Sequence, residues 1–79
     1  LTSGWQYSEN PDSIKKVFMF ENFIKAFSWM TSAAIISEKM NHHPELFNVY
    51  RRVEILLSTH DVGGLSILDI ELAKKLDLI

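Results

Sequence analysis

Two segments of this sequence decide its fold: residues 21–40, ENFIKAFSWMTSAAIISEKM, and residues 47–59, FNVYRRVEILLST. The first contains neither Gly nor Pro and has apolar side chains at helical spacing, which predicts a long helix. The second alternates apolar and polar residues, which predicts one strand. Its apolar face would consist of Phe47, Val49, Val53, Ile55 and Leu57. Arg51 interrupts this face, so we expect a bulge or an exposed strand end there.

The predicted helix has more apolar surface than one packing face needs. One stripe consists of Phe23, Phe27, Met30 and Ala34. A second stripe, rotated by about 100° around the axis, consists of Trp29, Ala33, Ile36 and Met40. A surface helix normally has a single apolar stripe. We therefore expect one face to pack on the sheet and part of another on a partner subunit. The alternative is a central helix covered on two sides by its own domain.

Shorter elements flank these two segments. Residues 4–7 and 14–20 predict two strands joined by a turn, and hence a hairpin. A Gly-Gly loop follows the long strand, and Ser66 begins a C-terminal helix. The order strand, strand, helix, strand, helix predicts an α+β fold in which an antiparallel sheet has helices on one face. Residues 1–79 are expected to form a single domain.

The size of the chain favours self-association. It has 79 residues, of which 47% are hydrophobic, and a net charge of −2. A domain this small buries only about 60% of the surface of its unfolded chain, so its own core is marginal. Small folds compensate with disulfides, a metal or a partner subunit. Cysteine is absent, which excludes disulfides and thiolate metal sites. We therefore expect an oligomer.

Charge and hydropathy exclude several classes of partner. The chain has eight Lys and Arg against ten Asp and Glu, without a basic run, so direct nucleic-acid binding is not expected. Its apolar stretches are shorter than the roughly 20 residues that span a bilayer, so no membrane association is expected. The first residues do not resemble a signal peptide. An intracellular location is the expectation.

Three histidines lie where the predicted elements end. His42 and His43 are adjacent and precede Pro44, directly after the long helix, and His60 follows the long strand. Because proline disfavours helix at the preceding residue, the backbone should leave the helix near His43. Adjacent side chains then diverge, so both imidazoles could approach one ligand, joined by His60 if the strand end lies nearby. Histidine, with an ordinary pKa of about 6.5, can donate and accept protons near neutral pH.

Structural roles compete with this interpretation. The histidine pair could simply end the helix, where cationic side chains interact with the negative end of the helix dipole. His60 could be an exposed turn residue. Asp69 follows Ser66 by three residues, which is the spacing of a capping box, although Glu or Gln is usual there. The spacing alone leaves these alternatives open.

Other kinds of chemistry find less support. Zinc is the sharper alternative, because His42, His43, His60 and an aspartate could supply three or four ligands. Adjacent histidines rarely converge on one metal, however, and the HExxH motif is absent. The sequence also lacks a Gly-x-Ser-x-Gly elbow and a glycine-rich phosphate loop. Histidine acid–base chemistry without a metal or cofactor remains.

Several separated segments together resemble the pterin-4a-carbinolamine dehydratases. In order, they are 38–45 (EKMNHHPE), 47–50 (FNVY), 58–61 (STHD), 64–66 (GLS) and Asp69. The earlier Gly4-Trp5 pair and Phe20-x-x-Phe23 agree with the family's preceding segment. The resemblance covers nearly the whole chain, and its specificity comes from several pieces in the right order and spacing.

The resemblance implies an activity and a set of site residues. Enzymes of this family eliminate water from 4a-hydroxytetrahydropterin and so sustain the hydroxylases that consume tetrahydrobiopterin; the pterin is the substrate, and no cofactor or metal is implied. His42 and His60 correspond to the acid and base on either side of the pterin. His43 corresponds to the histidine that binds and orients the substrate, with a share in proton transfer. Pro44 shapes the turn beside the substrate, and Asp69 corresponds to an aspartate that orients or polarises a histidine.

Two departures from the family pattern stand out. Family members usually have an N-terminal helix before the Gly-Trp strand, and this chain is expected to lack it. Arg51 occupies a position where Asn is common, which affects a local surface contact. The catalytic positions are all present, and Glu38, which opens the motif, is expected to have a supporting role.

The resemblance also implies protein partners. Family members form dimers and tetramers, so a homodimer or homotetramer is expected here. Some members are dimerisation cofactors of a homeodomain transcription factor, which they bind through a helix. This is the alternative function, a non-enzymatic coactivator, and the broad apolar surface of residues 21–40 permits it. The expected location is cytoplasmic, and also nuclear under the alternative.

Overall fold

The computed structural model describes residues 4–79, so the first three residues of the expected domain lie outside it. The strands are β1 (Gln6–Ser8), β2 (Ser13–Met19), β3 (Glu45–Val49) and β4 (Arg52–Leu57), and the helices are α1 (Phe23–Met40) and α2 (Ile67–Leu78). A short 3₁₀ turn, His60–Val62, lies between β4 and α2. The strands form one antiparallel sheet in the order β1-β2-β4-β3. The predicted α+β class is confirmed.

The predicted single strand over residues 47–59 is wrong, because this segment lies within a hairpin. A two-residue turn separates β3 from β4, and Tyr50 in that turn has a left-handed φ of 53°. Val49 therefore pairs with Arg52, and Phe47 pairs with Glu54. Arg51 lies in the turn rather than at a bulge. The chain thus has one strand more than the predicted order.

The turn also changes which residues share a face of the sheet. Paired residues of an antiparallel sheet lie on the same face, and a two-residue turn pairs odd positions with even ones. Phe47 therefore faces away from Val53, although both have odd numbers and were expected on one face. The side chain of Val53 is fully buried, whereas Phe47 is 58% exposed. The apolar pattern continues through the turn, so alternation alone could not reveal it.

Both helices cover one face of the sheet and bury a single core. That face presents Ile14 and Phe18 of β2 and alternate residues of β4. The most buried apolar side chains are Ile14, Ala26, Ala33, Val53, Ile55, Leu57, Leu72, Ala73 and Leu76. Small residues of α1 in this set allow the helix to approach the sheet closely. The prediction of helices on one face is confirmed.

Helix α1 begins two residues later than predicted because Asn22 caps it. The side-chain oxygen of Asn22 accepts a hydrogen bond of 2.9 Å from the backbone N–H of Lys25, which satisfies one of the free donors at the helix start. The stripe that contains Trp29 and Ala33 packs on the core. This part of the helix pattern behaves as the periodicity predicts.

The opposite side of α1 is uncovered by the rest of the described chain. We call this surface the outer face of α1, and it consists of Phe23, Ile24, Phe27 and Ile35. Ile24 is 74% exposed and Phe27 is 54% exposed. The alternative of a central helix covered on two sides by its own domain is therefore wrong for residues 4–79. An apolar face of this kind is typical of an interaction surface.

A polar cluster joins the first strand to the end of α2. The indole N–H of Trp5 donates to both carboxylate oxygens of Asp77, at 3.0 and 3.1 Å. The ammonium group of Lys16 lies 2.7 Å from the same carboxylate and 4.7 Å from the centroid of the Phe18 ring. These contacts fix α2 against β1 and β2. Within residues 4–79, neither helix has the length and apolar character needed to cross a membrane.

Candidate active site

The end of α1 determines where the histidine pair points. Asn41 adopts the left-handed conformation, with φ 51° and ψ 41°. Its N–H donates to the carbonyl of Glu38, and the N–H of His42 donates to the carbonyl of Ser37. These two bonds form a Schellman motif, which asparagine can accommodate. The chain therefore leaves the helix at Asn41, two residues before the exit that Pro44 predicted.

The Schellman turn sends the two imidazoles in different directions. His42 turns inward and is only 8% exposed. The side chain of His43 turns outward and is 58% exposed. The divergence that the sequence predicted is present, and it gives the neighbours different surroundings.

The end of β4 brings the third histidine to the same place. After β4 the chain forms the 3₁₀ turn that begins with His60, and a backbone bridge between Thr59 and Gly64 closes this loop. A cavity of about 230 Å³ lies between the loop and the end of α1. It is lined by Asn41, His42, His43, Ser58, Thr59, His60 and Asp61. All three histidines thus face one cavity, which is smaller than the roughly 300–1,000 Å³ of pockets for drug-sized ligands.

His42 is held by a buried aspartate behind the cavity. Its Nε2 lies 2.5 Å from Oδ1 of Asp69, whose side chain is fully buried. The other ring nitrogen, Nδ1, has no hydrogen-bond partner within residues 4–79. An ionised carboxylate only accepts hydrogen bonds, so Nε2 is the nitrogen that carries the proton towards Asp69. This leaves Nδ1 to exchange a proton with a bound molecule.

The second oxygen of Asp69 is also fully engaged. Oδ2 accepts hydrogen bonds from the hydroxyl of Thr59, at 2.7 Å, and from the backbone N–H of Ser66, at 2.9 Å. The bond from Ser66 is the side-chain part of the capping box that the spacing suggested. Asp69 therefore caps α2 and contacts His42 at the same time, so the two expected roles coexist in its geometry.

His43 has a different carboxylate partner. Its Nε2 lies 2.8 Å from Oε1 of Glu38, one turn earlier on α1, and both side chains are largely exposed. An exposed pair of this kind contributes at most about 1 kcal/mol to stability. Its main effect is to restrain the ring of His43 at the rim of the cavity. Glu38 has the supporting position expected from the motif.

The remaining residues singled out by the sequence have mixed positions. Pro44 is partly buried directly after the pair and does not line the cavity, so its contact with a substrate stays a prediction. Asp69 lies behind the cavity wall rather than in it. The sequence analysis did not select Thr59 or Ser66 for their hydroxyl groups, because hydroxyls that meet only in the folded chain leave no periodic signal. Asn41 was likewise missed, although asparagine before a Pro-containing segment is a helix-stop signal.

The zinc alternative finds no matching cluster. Within the part of the chain that the structure describes, no three His, Asp or Glu side chains lie close enough together to hold a metal ion. His42 and His43 each direct one ring nitrogen to a carboxylate instead. The geometry favours proton transfer by imidazole.

Comparison with known proteins places the chain in a family. The sequence model described as pterin 4 alpha carbinolamine dehydratase matches residues 1–79. The chain belongs to this family. A relative from Roseobacter denitrificans is 60% identical over 77 residues, which cover 98% of this chain and 79% of that protein. A relative from Rhizobium etli is 55% identical over 75 residues, covering 95% and 74%. Both have the provisional name pterin-4-alpha-carbinolamine dehydratase.

Solved structures of the pterin 4 alpha carbinolamine dehydratase fold agree with the architecture. A crystal structure of a transcriptional coactivator/pterin dehydratase from Brucella melitensis has a TM-score of 0.91 and 43% identity, covering 95% of this chain and 80% of that one. A pterin dehydratase-like protein identified as a RuBisCO assembly factor in the alpha-carboxysome has a TM-score of 0.84, covering 96% and 88%. At 19% identity, the second likeness concerns the fold alone.

Proposed function

We propose that this protein catalyses the dehydration of 4a-hydroxytetrahydrobiopterin to quinonoid dihydropterin by histidine acid–base catalysis. The observation that supports this most is the shared cavity of His42 and His60, in which His42 is backed by the buried carboxylate of Asp69. Family membership supplies the substrate class. The cavity itself offers proton donors and acceptors on two sides.

The reaction needs two proton transfers and no redox step. The C4a–O bond breaks as an acid protonates the leaving hydroxyl, which departs as water. A base removes the proton from N5, and the electrons of that N–H bond form the C4a–N5 double bond. A well-placed acid or base typically contributes about 10²–10⁴-fold to the rate. One imidazole on each side of the pterin satisfies both requirements.

The proposed roles follow from the position of each side chain. His42 and His60 exchange the two protons, and either assignment of acid and base balances the reaction. His43, restrained by Glu38 at the rim, binds and orients the pterin and shares in proton transfer. Pro44 shapes the adjoining backbone. Asp69 acts through His42 by fixing its ring and its protonated nitrogen.

A kinetic comparison of variants tests these roles. The substrate is generated freshly in situ, and its dehydration is followed with wild type, His42→Ala and His60→Ala. We expect each alanine variant to lose about 10²-fold or more in kcat. His43→Ala should chiefly raise KM, because its side chain lies at the exposed rim. Folded His42 and His60 variants with wild-type rates would contradict the proposal.

The proposed physiological role is recycling of tetrahydrobiopterin. A hydroxylase that consumes tetrahydrobiopterin releases the 4a-hydroxy compound, and its dehydration returns the pterin to the reduction step. A cytoplasmic location goes with this role. Loss of the gene product should therefore lower the sustained rate of such a hydroxylase in cells.

The outer face of α1 supports a second proposal, which concerns partners. We propose that it joins copies of this chain into a homodimer or homotetramer, as the small core requires. The alternative is a coactivator role, in the cytoplasm and nucleus, in which a transcription factor binds this face. The Brucella melitensis relative is described as a coactivator, which lends support to this alternative.

Charging the outer face separates enzyme from coactivator. Phe27→Glu places a charge on a side chain that is 54% exposed. If the face joins copies, sedimentation should show a smaller species than wild type. If the protein functions as an enzyme, His42→Ala abolishes function, whereas a coactivator tolerates that change and fails with Phe27→Glu. A wild-type monomer in solution would contradict the oligomer proposal.

A further inference from the structure

The hydroxyl of Thr59 lies at the junction of the two catalytic segments. It donates to Oδ2 of Asp69 at 2.7 Å, and it lies 2.7 Å from the hydroxyl of Ser66. Thr59 itself is partly buried, directly before His60 in the chain. No other threonine side chain in residues 4–79 contacts an ionisable group of the candidate site.

The chemistry of the partners fixes the direction of these hydrogen bonds. A carboxylate can only accept, so the single hydroxyl proton of Thr59 points to Asp69. The oxygen of Thr59 can then accept only from Ser66, whose hydroxyl must donate. The result is a directed chain, Ser66 to Thr59 to Asp69, that ends at the carboxylate which holds His42. Charge-assisted hydrogen bonds of this kind are the stronger ones in proteins.

This chain determines how Asp69 meets the imidazole. With Oδ2 engaged by Thr59 and by the N–H of Ser66, rotation of the carboxylate would break two hydrogen bonds. Oδ1 is therefore held towards Nε2 of His42. Nε2 keeps its proton, and Nδ1 remains the nitrogen available for proton exchange.

The backbone of Thr59 independently holds the loop that carries His60. Its N–H donates to the carbonyl of Gly64, and its own carbonyl accepts from the N–H groups of Val62, at 3.2 Å, and Gly64, at 3.1 Å. The same residue thus fixes the His60 loop through its backbone and the His42–Asp69 pair through its side chain.

We propose that Thr59 is a positioning residue that aligns His42 with His60 across the cavity. Its hydroxyl, with that of Ser66 behind it, holds Asp69 and so sets the protonated nitrogen of His42. This inference rests on the proposed dehydratase function for its kinetic test. It also makes a structural prediction about His42 that does not depend on activity.

The test compares Thr59→Val, which removes the hydroxyl at nearly constant shape, with Thr59→Ser, which keeps it. Outer contacts that orient catalytic ligands typically affect activity by about 10–100-fold. We expect Thr59→Val to lower kcat by about 10-fold or more with KM within about twofold of wild type. Thr59→Ser should stay within about threefold of wild type. Circular dichroism and thermal melting establish that both variants fold.

The double variant Thr59→Val with Asp69→Asn shows whether Thr59 acts through Asp69. Residues in one hydrogen-bond network have non-additive effects. The double variant should therefore have the kcat of Asp69→Asn alone, within about twofold. Multiplying losses would overturn the inference, as would a Thr59→Val variant with unchanged kcat.

Nitrogen-15 NMR of the His42 ring gives a readout without turnover. In wild type, Nε2 should carry a hydrogen-bonded proton that exchanges slowly with water. Thr59→Val should speed that exchange or shift the proton to Nδ1, and Thr59→Ser should not. If wild type has no dehydratase activity but the NMR change occurs, the proposed function fails while the positioning of His42 stands. If the His42 signals are the same in all three proteins, the inference fails.

Discussion

Replacing Asp69 with asparagine probes the link between the fold and the proposed chemistry. Asp69 is fully buried and accepts from the hydroxyl of Thr59, the N–H of Ser66 and the ring of His42. Asparagine has nearly the same shape but replaces one oxygen with an NH₂ group. The introduced amide must therefore direct its oxygen to one side of the site and its NH₂ group to the other.

The N–H of Ser66 decides between the two orientations. It is a backbone donor, so an NH₂ group placed against it would leave two donors facing each other. The amide oxygen should therefore remain beside Ser66 and Thr59, and the NH₂ group should face Nε2 of His42. Nε2 then becomes an acceptor, and the proton moves to Nδ1, the nitrogen that faces the substrate. The ring would present the wrong proton to the reaction.

The expected loss of activity is large and the loss of stability moderate. In serine proteases, the comparable change in tautomer lowers kcat by about 10⁴-fold. We expect Asp69→Asn to lower the kcat for dehydration by roughly 10²–10⁴-fold. Losing the charged partner of its hydrogen bonds should cost about 2 kcal/mol in the free energy of unfolding. A domain of 79 residues is stable by roughly 4–12 kcal/mol, so the variant should fold.

The assay is single-turnover dehydration of freshly generated substrate, with urea unfolding of the same samples. Asp77→Asn is the matched control, because it is the same substitution on α2 and Asp77 contacts Trp5 and Lys16 without lining the cavity. The control should lose about 1 kcal/mol of stability and keep its kcat within about twofold. A folded Asp69→Asn variant with kcat within threefold of wild type would refute the reasoning.

Three further predictions concern features outside the cavity. Asn22→Ala removes the cap of α1 and should lower the free energy of unfolding by about 1 kcal/mol in urea titrations; an unchanged value would contradict the cap. Tyr50→Asn places a residue that tolerates left-handed backbone in the β3–β4 turn and should raise stability by up to about 1 kcal/mol, whereas a loss would contradict the turn geometry. The hydrogen bond to the Asp12 carboxylate raises the pKa of the Tyr7 phenol to about 12. Because the folded-state pKa lies above the ordinary value of about 10, this contribution to stability is complete below pH 10 and is lost as the pH rises towards 12. Tyr7→Phe should abolish the high-pH step in an absorbance titration, and its persistence would contradict the assignment.

The sequence predicted the parts of the fold that local periodicity controls. Helix α1, helix α2 and the first hairpin follow from apolar spacing and from Asn and Ser caps. The β3–β4 hairpin did not, because the alternation runs unbroken through Tyr50 and Arg51, neither of which is a usual turn residue. Turn geometry, which depends on the pairing of whole strands, put Phe47 and Val53 on opposite faces.

The candidate site shows the same limit. The order of His42, His43 and His60 at element ends predicted that they would face one ligand, and the cavity brings them together. The hydrogen bonds of Asp69 to Thr59 and Ser66 join the end of β4 to the start of α2. Such contacts depend on how elements dock, which residue spacing does not encode.

The most direct measurement is the rate at which freshly generated 4a-hydroxytetrahydrobiopterin loses water with and without the wild-type protein, near neutral pH. The account predicts a clear acceleration over buffer that saturates with substrate and disappears in the His42→Ala, His60→Ala double variant. A folded wild-type protein that leaves the buffer rate unchanged would contradict the central claim and direct attention to a protein partner of the outer face of α1.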